Sequence, residues 1–430
     1  MLKLFAVALS ALATGMALGQ GTIRQLPPPA WMADASIYQI FVRNFTPEGT
    51  LKAATARLES VRDLGVNTVY LLPFHPTGQQ QRKGELGSPY SVRDYLTVDP
   101  AQGSLEDFDT FLSKAHGLGL RVVMDLVFNH TAWDNPLTLT HPEYYLKNAA
   151  GKIRAPRPEW SDVAALDTSR PDVQDYLISV GKFWARAGVD GFRADVSGDL
   201  PLNFWQRFRN ALKSEYPDLL LLAETGAPAI HDRAFDLSYD WEGASRVKAT
   251  LAGVGRANRL FDHFANEGGV PKLRYLENHD QPRIAAGLDL PRLRAAAAIL
   301  LTQPGVPLIY AGQEVGLSQQ PSLFDRDPLD WSAGHPELRA WYRRLLEARK
   351  RLEPLRRGGL RLISGQPARL LAFTRHTERE KVVVLINLSG VNQTARLPWA
   401  KTWRSALDER SFPGGNLEVR PFETLLLLDR

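Results

Sequence analysis

Cysteine is absent from the 430-residue chain. Disulfides, thiolate zinc sites, iron–sulfur clusters and cysteine nucleophiles are therefore excluded. No P-loop, Gly-x-Gly-x-x-Gly or His-Glu-x-x-His motif occurs, which removes the common phosphate cradle, the dinucleotide fingerprint and the helical zinc-protease site. Past the N-terminus, no apolar run approaches the ~20 residues that a membrane span needs. No stretch interleaves a dense Lys/Arg cluster with aromatics, so the net charge of +5 reads as a solvated basic surface. Nucleic acid is not expected as a partner.

What is present is ordinary globular composition, with 44% hydrophobic, 23% charged and 9% aromatic residues. Disorder and collagen-like repeats are ruled out. The length allows one large domain and a smaller module. Lys3 precedes an apolar run from Leu4 to Leu18, and Ala17-Leu18-Gly19 supplies small residues at its exit. That pattern predicts a secretory signal over residues 1–19, cleavage before Gln20, and a secreted or periplasmic protein with no membrane contact afterwards. A monomer is expected.

Short β-branched or apolar runs recur at Ile37–Val42, Val66–Leu72, Arg121–Val127, Asp190–Val196, Leu219–Glu224, Ala234–Tyr239, Leu273–Asn278 and Val306–Tyr310. Several are almost wholly apolar, as parallel strands buried on both faces must be. Helix-period stretches such as Leu51–Leu64, Leu105–Leu118, Val173–Ala187 and Arg292–Leu301 lie between them, with Gly65, Gly119 and Gly188 placed to end helices in a left-handed conformation. Eight such units predict an α/β fold, a (β/α)8 TIM barrel over residues 20–354. The irregular stretch 131–170 after the third strand is too long for a plain loop and predicts an inserted subdomain. From residue 355 onward strand patterns follow one another without helices, predicting a C-terminal antiparallel β-sandwich over 355–430.

Polar residues fall at the C-terminal ends of these strands: Asn44, Asp125, Asp195, Glu224, Asn278 and Glu314. In a barrel that is the active-site rim. Within Gly191-Phe-Arg-Ala-Asp195, alternation sends Arg193 and Asp195 to the same side. A guanidinium beside a carboxylate keeps it ionised, as a nucleophile must be. Glu224 follows the apolar run Leu219–Ala223, a setting that raises a carboxyl pKa and retains the proton of a general acid. Asn278-His279-Asp280 adds a third carboxylate, and Asp125 and His130 flank the third strand's end. Singly, each of these is more often a structural ion pair or a helix cap. Together, in order around one rim, they suit glycoside cleavage through a covalent intermediate.

On these residues the chain resembles the α-amylase family of retaining glycoside hydrolases and transglycosylases (glycoside hydrolase family 13). Its four signature regions match Asp125-Leu-Val-Phe-Asn-His130, Gly191-Phe-Arg-Ala-Asp195, Leu222-Ala-Glu224 and Glu277-Asn-His-Asp280. The resemblance implies Asp195 as nucleophile, Glu224 as acid/base and Asp280 as the carboxylate gripping sugar hydroxyls. It implies sugar contacts for Tyr90, Asp125, His130, Arg193, Asn278 and His279, with Tyr90 as an aromatic platform. The substrate it implies is an α-glucan or malto-oligosaccharide. Hydrolysis is the first expectation, glucosyl or maltosyl transfer the second, and an inactive carbohydrate-binding protein a third.

The departures bear on metal and specificity. Gly198 and Asp199 stand where many members carry a Lys-His pair whose histidine backbone helps bind calcium, and the insertion is short. No cofactor is expected, and structural calcium is disfavoured. Asn278-His-Asp-Gln-Pro-Arg283 and Gly312-Gln-Glu-Val-Gly316 are similar to the oligosaccharide α-glucosidase branch. His75-Pro76, Arg82-Lys83-Gly84 and Gly87-Ser-Pro-Tyr90 are similar to the maltosyltransferase branch. Trp133, Trp160 and Trp241 lie on expected rim loops, where they would stack on sugars or serve as core and hinge residues.

Overall fold

Residues of one strand alternate between two apolar environments, and this alternation builds the molecule. The computed structural model describes residues 23–429; the expected signal segment, 1–19, lies outside them. Eight parallel strands close into a barrel: β1 (Ile37–Ile40), β2 (Thr68–Leu71), β3 (Arg121–Leu126), β4 (Gly191–Ala194), β5 (Leu220–Ala223), β6 (Leu237–Tyr239), β7 (Lys272–Tyr275) and β8 (Val306–Tyr310). Around the barrel they run β1-β8-β7-β6-β5-β4-β3-β2. Seven of the expected runs contain their strands; β7 starts one residue earlier, at Lys272.

Ile37, Val123, Leu220, Leu222, Leu237 and Leu308 point inward and form one buried cluster. Tyr38, Met124, Phe192, Leu221 and Ile309 point outward, into the larger core shared with the helices. Gly191 faces the interior, where a β-carbon would come within 2.6 Å of the Leu220 carbonyl oxygen.

The helices follow local sequence rules. In Leu51–Leu64, Thr50 caps the first turn by accepting from the Ala53 N–H, and Leu51, Ala54, Leu58, Val61 and Leu64 form the buried face. Truncating a core leucine such as Leu58 to alanine would cost about 2–5 kcal/mol. Ser104 and Asp107 form a reciprocal capping box at the start of Leu105–Gly117. Gly65, Gly119 and Gly188 end or follow their helices at φ of 106°, 74° and 105°, where a side chain would be strained.

Between β3 and the helix Pro171–Ala187, a ribbon pairs His130–Ala132 with Val163–Ala165 and carries short helical turns at Leu137–Thr140 and Pro142–Tyr144. Beyond the barrel lies a six-stranded antiparallel sheet, ordered Gly359–Leu362, Leu370–His376, Lys381–Asn387, Thr424–Asp429, Trp403–Ser405 and Ser411–Phe412. Leu370, Ala372, Val383 and Leu385 on one face pack against a two-stranded ribbon, Gln393–Arg396 with Asn416–Val419. Leu371, Phe373, Val384 and Ile386 on the other face join the core around the barrel.

Two buried arginines lie at that second boundary, Arg375 reaching across it from the sheet and Arg349 standing on the barrel side. Arg375 donates to the Thr302, Leu355 and Gly358 carbonyls, and Arg349 to those of Leu301, Leu355 and Gly305. Leu301 and Thr302 end the helix Leu290–Thr302, so the cations sit at the negative end of its dipole. Among the described residues, no helix is long and apolar enough to cross a membrane.

Candidate active site

The top inward layer of the barrel is polar, and it supports the site from below. Asp125 on β3 and Arg193 on β4 are register partners, so their inward side chains meet. Nη1 of Arg193 donates to Asp125 at 2.8 and 3.0 Å and to Oδ1 of Asp195 at 2.8 Å. Its Nη2 lies 2.5 Å from Oε1 of Glu224, but without the alignment of a hydrogen bond. One guanidinium thus serves three carboxyl groups whose side chains are 0%, 9% and 14% exposed.

Burial pushes the carboxyl groups of both Asp195 and Glu224 upward, Glu224 to about 7, while Arg193 pulls in the other direction. The two face each other, so one proton between them relieves the repulsion. Arg193 makes its aligned hydrogen bond to Asp195, which therefore keeps the charge, and the proton belongs on Glu224. Oε2 of Glu224 accepts the Val196 N–H at 2.7 Å. Val196 holds a left-handed φ of 35°, a strain of about 1–3 kcal/mol for a β-branched residue.

A second chain of hydrogen bonds fixes the platform. Tyr70 donates to Oδ2 of Asp125 at 2.6 Å, and Tyr90 donates to the same oxygen at 3.0 Å. The Tyr90 oxygen lies 2.5 Å from Nε2 of His279, and Nε2 of Gln39 lies 2.9 Å from its Nδ1. Since Tyr90 spends its proton on Asp125, His279 must donate from Nε2 and accept at Nδ1. Burial lowers the His279 pKa, which agrees with that neutral tautomer. The Tyr90 and His279 rings stack 5.5 Å apart.

These contacts divide the expected site residues into two layers. Asp195, Glu224, Asp280, Tyr90 and His130 line a cleft of about 330 Å³. Asp125, Arg193, Asn278 and His279 lie beneath it and hold the upper layer in place. Oδ1 of Asn278 accepts the Asp280 N–H at 3.0 Å, fixing the backbone of that residue, whose half-exposed carboxylate lies 3.1 Å from Nε2 of His279. His130 meets Trp160 edge to face at 5.7 Å, and burial lowers its pKa to about 4, leaving it neutral.

Two rim residues turn out to be structural. Asn44 bonds the Ser322 carbonyl and the Asp327 N–H. Glu314 is buried against the Tyr38 hydroxyl and Arg339. Sequence reasoning did not assign Lys83, Asp162, Leu323 and Phe324 to the cleft, though all four line it; they come from three loops that meet only in the fold.

The catalytic-domain profile of the family described as "Alpha amylase, catalytic domain" matches residues 29–138 and 254–353. The solved α-amylase of Lactobacillus plantarum is 30% identical, covering 93% of this chain and 99% of its own, with a TM-score of 0.85. A maltogenic α-amylase of Thermotoga neapolitana is 31% identical, covering 92% and 99%, also at 0.85. Neopullulanase 2 of Thermoactinomyces vulgaris is 28% identical over 93% of this chain and 78% of its own. The chain belongs to the α-amylase family.

As a glycosidase of this family, the enzyme raises the question of calcium between the barrel and the insertion. Charged and hydrogen-bonded groups link the two there. Asp199 pairs with the Arg157 guanidinium of the insertion at 2.6 Å, a direct charge link between the barrel and the insertion. The Asn129 carbonyl accepts the Leu166 N–H, which ties the end of β3 to the insertion. Asp240, His263 and Glu267 also converge, and Arg274 runs between Asp240 and Glu267 and pairs with both.

Proposed function

We propose that the enzyme cleaves α-linked glucans or malto-oligosaccharides by double displacement with retention. The supporting observation is the unequal treatment of two facing carboxyl groups that burial raises alike: Arg193 donates an aligned hydrogen bond to Asp195 and makes only an unaligned contact to Glu224. Contact of one guanidinium with both favours the close spacing, about 5–5.5 Å, of a covalent mechanism over the ~6.5–9.5 Å that leaves room for water.

The Asp195 carboxylate attacks the anomeric carbon as the glycosidic bond breaks, and Glu224 gives its proton to the departing oxygen. Glu224, now a carboxylate, takes a proton from the incoming water. The water oxygen bonds to the anomeric carbon as its bond to Asp195 breaks, which releases the sugar and restores the Asp195 carboxylate and the Glu224 acid. Asp280 and His130 grip hydroxyls of the reacting sugar, and Tyr90 supports its ring.

The Arg157–Asp199 pair supports a barrel–insertion joint that needs no calcium. The N-terminal apolar segment supports export. Replacing Asp195 with Asn is expected to abolish turnover of maltotriose while leaving the fold intact, as judged by a cooperative melting transition. Retention of more than a few per cent of activity would remove Asp195 from its role.

A further inference from the structure

The direction in which the cleft is closed bears on where a glucan is cut. Glu224 stands at the end of β5, so the leaving part of the substrate lies on that side of the reacting sugar. In the closed order of strands, β1 lies opposite β5, with β8 and β2 beside it. The donor part of the chain therefore heads toward the loops after β2 and β8.

Those loops are sewn together. The Leu86 N–H donates to the Phe324 carbonyl at 2.9 Å, and the Glu85 N–H donates to Oδ1 of Asp325 at 2.7 Å. Buried Arg43, just past β1, donates to the carbonyls of Gly87 at 2.7 Å and Leu323 at 3.2 Å. The β2 loop is also tied to the insertion. Lys83 pairs with Asp162 at 2.7 Å and donates to the Glu159 carbonyl at 2.8 Å, and the Ser91 hydroxyl donates to the Asp162 carbonyl at 3.0 Å. Insertion, β2 loop and β8 loop thus form one continuous wall, with Lys83 and Phe324 facing the cleft.

The opposite side is different. Trp241 is 48% exposed and lies beside the loop leaving Glu224, where a β-carbon on Gly226 would meet its ring at 3.7 Å. An exposed indole there offers a stacking surface to leaving-group sugars.

We propose that the donor end of the cleft is blind, so that the enzyme removes one or two glucosyl units at a time from the non-reducing end rather than cutting within a chain. This inference rests on the glucan reading above. Its test compares two maltoheptaosides carrying a reducing-end chromophore, one free and one with its terminal glucose blocked as a 4,6-acetal, with products separated by chromatography. The free chain is expected to shorten stepwise by one constant unit from the earliest times, and the blocked chain to turn over at least 100-fold more slowly. Comparable cleavage of both, or internal fragments at early times, would overturn the blind end. If neither chain is cut, the glucan reading fails and this inference with it. In a Lys83→Ala/Phe324→Ala variant that melts as a folded protein, the blocked chain is expected to gain at least tenfold relative to the free one. No gain would show that these residues do not form the barrier.

Discussion

Replacing Arg193 with methionine leaves Asp125, Asp195 and Glu224 buried together without their cation. Removing one partner of a buried ion pair costs about 3–5 kcal/mol, since the survivors stay desolvated. Unfolding entropy of about 2.1 cal/mol/K per residue gives about 0.9 kcal/mol/K for a chain of this length, so the melting temperature should fall by about 3–6 °C near neutral pH. The carboxyl groups can relieve part of this by taking up protons, and the gap between variant and parent should narrow as pH is lowered. In catalysis, loss of the guanidinium raises the Asp195 pKa, so the acidic limb of kcat/KM moves upward toward the basic limb and the activity maximum shrinks. Calorimetry at several pH values and a kcat/KM profile on maltotriose test both. A melting change below about 1 °C with an unmoved acidic limb would refute the view that Arg193 neutralises the site.

Glu224 must be protonated to act as the acid, so kcat/KM should fall as pH rises through about 7. Glu224→Gln should lose that limb and about 10²–10⁴ in kcat on unactivated substrates; an unchanged limb would assign it elsewhere. Trp241→Ala should raise KM for maltoheptaose several-fold while changing maltotriose less, measured by initial rates; equal effects on both would deny it a leaving-side role. Excess chelator should leave the melting temperature within about 1 °C, because a ligand bound only to the folded state would stabilise it. A drop of several degrees restored by calcium would show that the Arg157–Asp199 pair does not replace the metal.

The barrel was legible because burial on both faces leaves few polar residues in a strand, and because glycines mark three of its helix ends. The carboxyl groups were legible because alternation fixes the side on which Arg193 and Asp195 emerge. What could not be read was depth. Asp125 and Asp195 look alike in the sequence, yet one is fully enclosed and the other faces the cleft, a difference set by how far each strand rises toward the rim. The partnership of Lys83 with Asp162, and the arrival of Phe324 beside Leu86, join segments far apart along the chain and carry no local pattern. The strands Trp403–Ser405, Ser411–Phe412 and Asn416–Val419 are too short and too polar at alternate positions to stand out from loops. The left-handed Val196 runs against the preference of its own residue type, so only the surrounding fold reveals it.

Arg349 and Arg375 have a consequence for anyone wishing to shorten this protein. Burial lowers their pKa values to about 10 and about 9, and carbonyl oxygens hold both, all contributed by residues 301–358 on the barrel side, with Arg375 reaching there from the sheet. A chain cut near residue 358 would keep Arg349 while losing the sheet that covers it, and would bare the apolar surface that Leu371, Phe373 and Ile386 had sealed. Such a fragment should aggregate rather than persist as a smaller enzyme. The last seventy residues are thus a keystone of the molecule, and melting of barrel and sheet should register as one event.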